Sequence, residues 1–236
     1  MVGLHGFTYT GEQFRAFSRL IGAQIVAPDL PGHGETTIDP VNLETTVQAL
    51  VALLEQLGPS PLLGYSQGGR LAILVALARG DLVPAMVAVS ASPGDPNRAA
   101  RRRADERLAV DLMEGGVDRF LDAWLSGPPT GTDHLAAAVR VADREIRQAN
   151  TASGLAAALR GYGQGVQRTV LDELRLLVPP TQFVAGERDP KYVRLAEQMA
   201  TAARLGGSIV VVDSGHNVVL DNPHALAAIV ADHILA

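Results

Sequence analysis

The pentapeptide Gly64-Tyr65-Ser66-Gln67-Gly68 carries chemistry most plainly. A serine framed by glycines can be lifted to the apex of a sharp turn, because glycine has no Cβ to block a strand on one side or a helix on the other. The flanks supply that setting. Gly58-Pro59-Ser60-Pro61 breaks the chain, Leu62-Leu63 open a short apolar strand, and Gly69-Arg70 lead into Leu71-Ala72-Ile73-Leu74-Val75-Ala76-Leu77, which reads as a buried helix. Strand, G-x-S-x-G, helix is the context of a nucleophile elbow, so Ser66 is the expected nucleophile.

A serine of this kind needs a base, and the base needs an orienting carboxylate. His216, in Asp213-Ser214-Gly215-His216-Asn217, follows the last predicted strand and is the expected base. His5, His33, His134, His224 and His233 fall in other loops or helices and have weaker claims. Asp189, in Gly186-Glu187-Arg188-Asp189-Pro190, follows the strand ending at Ala185 and is the expected acid. Asp213 is its rival, although its closeness to His216 in sequence suits a turn residue better. Leu4-His5-Gly6-Phe7 adds a strand running into a His-Gly turn. The backbone N–H of Phe7, with that of Gln67 after the nucleophile, is expected to form an oxyanion hole. No metal-ligand spacing and no phosphate-cradling glycine loop followed by lysine is visible, so no metal and no cofactor is expected.

These side chains need a scaffold that gathers them. Short apolar strands alternate with longer helical patterns, the signature of a parallel sheet covered by helices. Gln24-Ile25-Val26-Ala27 reads as a strand, followed by Met86-Val87-Ala88-Val89, Gln182-Phe183-Val184-Ala185 and Ile209-Val210-Val211-Val212. Leu43, Val47, Leu50, Val51, Leu54 and Leu57 share one helical stripe. Asn222 and Pro223 read as N-cap and first residue of a final helix. From about residue 92 to 168 the rhythm stops and helices follow one another, broken at Gly115-Gly116 and at Gly127-Pro128-Pro129. The expected organisation is a core of residues 1–91 and 169–236 with an inserted helical cap, 92–168, over the edge where ligands bind in open α/β sheets.

The bulk properties narrow the function classes. A chain of 236 residues, 47% hydrophobic, is long enough for a sizeable core. A net charge of −5 argues against a nucleic-acid binder or a membrane-surface protein. The absence of cysteine excludes disulfides and thiolate metal sites. With no apolar run of export or membrane-spanning length, a cytoplasmic location is expected.

Taken together these motifs resemble the α/β-hydrolase superfamily, in which the triad follows the order serine, acid, histidine. More narrowly the chain resembles the MenH family, the 2-succinyl-6-hydroxy-2,4-cyclohexadiene-1-carboxylate synthases of menaquinone biosynthesis. The resemblance runs through Leu4-His5-Gly6-Phe7, Asp29-Leu30-Pro31-Gly32-His33-Gly34, the elbow with Gly69-Arg70, Gly186-Glu187-Arg188-Asp189 and Gly215-His216-Asn217. Arg70 and the Arg101-x-Arg103-x-Asp105 pattern are its more particular marks. It implies a lyase whose activated serine abstracts a proton and eliminates pyruvate. The small polycarboxylate substrate would be held by Arg70, Arg101 and Arg147, with Trp124 and Tyr65 in the pocket wall. Arginine suits such a ligand because its planar fork binds carboxylates in pairs of hydrogen bonds.

Two other readings remain at this level. The triad alone serves a carboxylesterase or another serine hydrolase equally well, and the fold can also persist in a non-catalytic binding protein. The family's sheet normally opens with two further strands before the His-Gly loop, whereas only Met1-Val2-Gly3 precede that motif here. Two explanations stay open, a start placed too late in the sequence or a truncated sheet. A truncated sheet would leave the strand around Ile25-Val26 as an unpaired edge, with a homodimer through that edge or poor solubility expected.

Overall fold

The computed structural model describes residues 1–36, 39–127 and 129–235. In chain order the regular elements are β1 (Val2–Leu4), α1 (Arg15–Ile21), α2 (Leu43–Leu57), β2 (Leu62–Tyr65), α3 (Gln67–Ala78) and β3 (Met86–Val89). Three helices follow without an intervening strand: α4 (Arg98–Trp124), α5 (Ala137–Gln148) and α6 (Ala152–Tyr162). The chain closes with β4 (Thr181–Gly186), α7 (Pro190–Ala202), β5 (Gly206–Val211), α8 (Val218–Asp221) and α9 (Pro223–Val230).

Among the described residues five strands form one parallel sheet in the order β1-β2-β3-β4-β5. Because successive side chains on a strand point to opposite faces, each central strand feeds two cores. Leu62, Met86, Ala88, Phe183 and Ala185 join the core under α2, α3 and α7, while Leu63, Val87, Val89 and Val184 join the core under α1, α8 and α9. The alternation explains why these strands read as continuous apolar runs in the sequence: both faces are buried. A third apolar cluster, built on Leu112, Phe120, Leu121, Leu155 and Leu159, holds α4 against α6.

The stripe on α2 is realised, with Leu50 and Leu54 buried and Asn42 capping the helix by accepting from the Thr45 N–H at 2.9 Å. Asn222 caps α9 in the same way, through Ala225 N–H, with Pro223 at the first position. Gly116 breaks α4 internally at φ 73°, a conformation that favours glycine. The expected break at Gly127-Pro128-Pro129 falls partly outside the described residues, since Pro128 is not among them.

The expected strand at residues 24–27 is a correction. Only Val26 bridges to Val2, through Val26 N–H to Met1 O at 3.0 Å and Gly3 N–H to Val26 O at 2.9 Å. Pro28 follows two residues later without an N–H to continue a ladder, so the pairing stops at one bridge. Among the described residues no helix is long and apolar enough to cross a membrane.

Candidate active site

A parallel sheet brings the C-terminal ends of all its strands to one edge, and the expected site residues come from those ends. β1 runs into His5-Gly6-Phe7, β2 into Ser66, β4 into the turn before Asp189, and β5 into the loop carrying His216. Ser66 occupies φ 51°, ψ −106°, a backbone state sparsely used by residues with a side chain. The crossing is tight enough to require its glycines. A Cβ on Gly64 would lie 2.7 Å from the backbone of Gly68 and Gly69, and one on Gly68 would overlap the Leu4 carbonyl. The strain is held by burial of nearly every residue around it, and Ser66 itself stays partly exposed at the apex.

Ser66 Oγ lies 3.0 Å from His216 Nε2, and His216 Nδ1 lies 2.7 Å from Asp189 Oδ2. An ionised carboxylate only accepts, so Nδ1 carries the proton and Nε2 presents its lone pair to the serine hydroxyl. Asp189 is buried and does not line the cavity; it stands behind the imidazole and also accepts from the Tyr192 N–H at 3.4 Å. The ring of His216 is wedged between Tyr192, 4.5 Å away edge-on, and Tyr65 at 5.7 Å. Asp213, the rival acid, is exposed in the turn at φ 56° and makes no bond to the imidazole among the described residues. The Phe7 and Gln67 amides donate no hydrogen bond among the described residues, and both residues line the same cavity as Ser66.

A cavity of ≈ 220 Å³ opens over the serine, and its wall includes Phe7, Tyr65, Gln67, Arg70, Arg101, Trp124, Arg147 and His216. The three arginines differ sharply in surroundings. Arg70 is 4% exposed and donates to Gln167 Oε1 at 2.8 Å and Tyr162 O at 3.2 Å, both neutral acceptors. Among the described residues it has no carboxylate within ion-pair distance. Burial pulls its pKa down to about 10, so the guanidinium remains charged at neutral pH. Arg101 is half-buried and pairs with the buried Asp105, Nε to Oδ1 at 2.8 Å, while Arg102 and Arg103 are solvated. Arg147 is buried, pairs with Asp143 at 2.8 Å, and lies 3.7 Å over the Tyr9 ring.

Trp124 serves two surfaces. It stacks on Phe120 at 5.5 Å, meets Phe7 edge-on at 5.5 Å, and still faces the cavity. Tyr65 is buried, and burial raises its phenol above the ordinary value, which keeps it neutral. A Cβ on Gly6 would meet the Tyr65 ring at 2.5 Å, so the His-Gly turn owes its glycine to that ring.

Sequence reasoning missed the group that fixes Arg147. The Tyr9 hydroxyl donates to Asp143 and accepts from Arg147 and from Asn217 Nδ2, the residue after His216. Asp143 and Arg147 stand four apart on α5, a spacing that signals a helical ion pair. Tyr9 gave no such signal, because its partner is 134 residues away. Among the described residues no cluster of three histidine, aspartate or glutamate side chains could hold a metal ion.

Comparison with known proteins identifies the family. Residues 1–229 match the family described as the alpha/beta hydrolase family. The 2-succinyl-6-hydroxy-2,4-cyclohexadiene-1-carboxylate synthase of Salmonella agona is 31% identical over 236 residues, covering 94% of this chain and 88% of that protein. A protein of Bacillus subtilis named as a putative synthase of the same compound is 29% identical, covering 99% of this chain and 89% of its own length. The solved structure of MenH from S. aureus superposes with a TM-score of 0.92 at 26% identity, over 98% of this chain and 91% of that one. With the elbow, the parallel sheet and the matched length all in agreement, this chain, an enzyme similar to the MenH synthases, belongs to the alpha/beta hydrolase family.

Proposed function

We propose that the protein is a cofactor-independent lyase that forms 2-succinyl-6-hydroxy-2,4-cyclohexadiene-1-carboxylate by eliminating pyruvate from the succinyl-enolpyruvyl precursor. The observation that carries this reading is Arg70, a buried cation whose hydrogen-bond partners among the described residues are neutral, facing the cavity above Ser66. A desolvated charge without a counter-ion is costly, and a substrate carboxylate would compensate it. The names of the Salmonella and S. aureus relatives support the same chemistry.

In this mechanism Ser66 gives its proton to His216 Nε2, and Asp189 stabilises the imidazolium that results. The serine oxygen removes a substrate proton next to a carbonyl. The electron pair left behind forms a ring double bond as the C–O bond to the enolpyruvyl group breaks, and the leaving group is protonated by His216 and departs as pyruvate. The Phe7 and Gln67 amides stabilise negative charge on the carbonyl oxygen meanwhile. Arg70, Arg101 and Arg147 hold carboxylates, with Tyr65 and Trp124 as walls. Helices α4 to α6, within residues 92–168, act as a cap over a core formed by 1–91 and 169–236.

A carboxylesterase is the competing reading, favoured by the same two free amides, since an acyl-transfer intermediate needs them too. Incubation with the succinyl-enolpyruvyl precursor and, separately, with p-nitrophenyl esters distinguishes the two. Pyruvate release is expected; rapid ester turnover without pyruvate would overturn the lyase assignment. His216→Ala should lower the rate by at least about three decades, and Ser66→Ala should abolish pyruvate release. Unchanged rates would move the chemistry to other residues, and no turnover of either substrate by the unmodified protein would return it to a binding role.

A further inference from the structure

We infer that the groove on the outer side of His216 is a second anion-binding compartment, which receives the carboxylate-bearing arm of the substrate that the inner cavity cannot hold. The proposal rests on the reading of the site as one for a polycarboxylate. The inner cavity, at ≈ 220 Å³, falls below the roughly 300–1,000 Å³ that encloses a drug-sized ligand. A groove of ≈ 750 Å³ adjoins it, and the two share Arg101, Pro129, Tyr192 and His216 as a common wall. A ligand that reaches Ser66 through this groove passes His216 and keeps its remaining length in the groove.

The groove is cationic on a protein whose net charge is −5. Beyond Arg101 it is lined by Arg188, Lys191 and Arg194, all exposed and without an ion-pair partner among the described residues. Its two carboxylates do little to cancel them. Asp189 is buried and bonded to His216, and Asp133 lies 3.5 Å from Arg140. Lys191 is also tied to the reacting groups by position: its ammonium sits 5.4 Å over the Tyr192 ring, and that ring packs edge-on against His216. Free cations around a concave surface concentrate field lines and draw anions toward it. Two arginine-bearing compartments on either side of one histidine match a ligand whose acidic groups lie at its opposite ends.

The test needs no turnover, because Trp124 is the chain's one tryptophan and faces the inner cavity. Its emission, with titration calorimetry alongside, reports binding of tricarballylate, a tricarboxylate, and of benzoate, a monocarboxylate. In Lys191→Glu/Arg194→Glu the dissociation constant for tricarballylate should rise roughly tenfold more than that for benzoate. The excess should persist at about 0.3 M salt, where the screening length is about 6 Å and only charges in close contact still interact strongly. Lys191→Gln/Arg194→Gln should give a smaller shift in the same direction. Equal changes for both ligands, a difference that vanishes with salt, or no binding of tricarballylate to the unmodified protein would each overturn the compartment. Pyruvate release by the unmodified protein is read separately, so failure of the lyase assignment is seen on its own.

Discussion

Arg70 and Arg101 face one cavity, yet their charges are balanced in opposite ways. Arg70 has neutral acceptors only, whereas Arg101 neutralises the buried Asp105. Arg70→Met should keep the packing and remove an uncompensated buried cation, which offsets the loss of a donor to Gln167 Oε1 and Tyr162 O and leaves the melting temperature little changed. The same variant should weaken polycarboxylate binding by about 1.5–3 kcal/mol, the range for a hydrogen bond to a charged group. Arg101→Ala should lower both, because Asp105 would keep only the Gly165 N–H at 2.8 Å; the stability loss should be about 1–3 kcal/mol. Thermal unfolding alongside ligand titration separates the cases, and a fall in Arg70→Met stability equal to that of Arg101→Ala would refute the distinction. The sequence made both arginines visible as candidates. It could not reveal the difference, since Gln167 and Tyr162 reach Arg70 from more than 90 residues away.

The same limit recurs for whole elements, in a more favourable form. The helix α4 has 27 residues, and Arg101 and Trp124 stand near its two ends. On a straight helix their Cα atoms would be roughly 35 Å apart, yet both line the cavity above Ser66. The bend at Gly116, φ 73°, is what reconciles these facts. Gly115-Gly116 announced the break in the sequence, because glycine pairs are weak points of a helix. Periodicity also revealed α2 through its apolar stripe, and Asn222-Pro223 announced the start of α9, for those signals are local. What it overstated was the segment at residues 24–27, where propensity favoured a strand and one bridge formed. Pairing depends on a neighbour, and propensity carries no information about it. Gly116→Ala should cost about 1–2 kcal/mol in urea unfolding, the penalty for forcing a side chain into a left-handed state. It should also raise KM, as Arg101 and Trp124 lose their convergence. A variant with normal stability and normal KM would show that the bend is incidental.

At the scale of the molecule, no strand among the described residues pairs with the outer side of the segment at Val26, and we propose that two copies associate there. Light scattering should find a dimer, and a monomer at high concentration would count against it. A second molecular property follows from two imidazoles held neutral at the heart of the fold. His5 Nδ1–H donates to Gly6 O at 2.8 Å, and His5 Nε2 accepts the Leu30 N–H at 2.9 Å. A protonated ring would set one N–H against another. Burial lowers the His5 pKa from 6.5 to about 4, with the Gly6 carbonyl and Asp29 opposing only in part. His33, 4.9 Å away, is lowered well below its ordinary value, first by burial and then by His5. Both groups bind protons more readily in the unfolded chain. Their contribution to stability is complete above pH 6.5 and is lost as the pH falls from there toward about 4 for His5. For His5 alone this amounts to about 3 kcal/mol, at roughly 1.4 kcal/mol for each tenfold change in proton affinity. Urea midpoints should therefore fall steadily between pH 6.5 and 4, and the part of that fall above about pH 5 precedes the protonation of most carboxylates. His33→Gln, which removes one of the two titrations, should make that fall shallower. A midpoint that stays level from about pH 7 to 4.5 would mean that neither ring is kept neutral by the fold, and the bridge from the His-Gly turn to Leu30 would need another explanation.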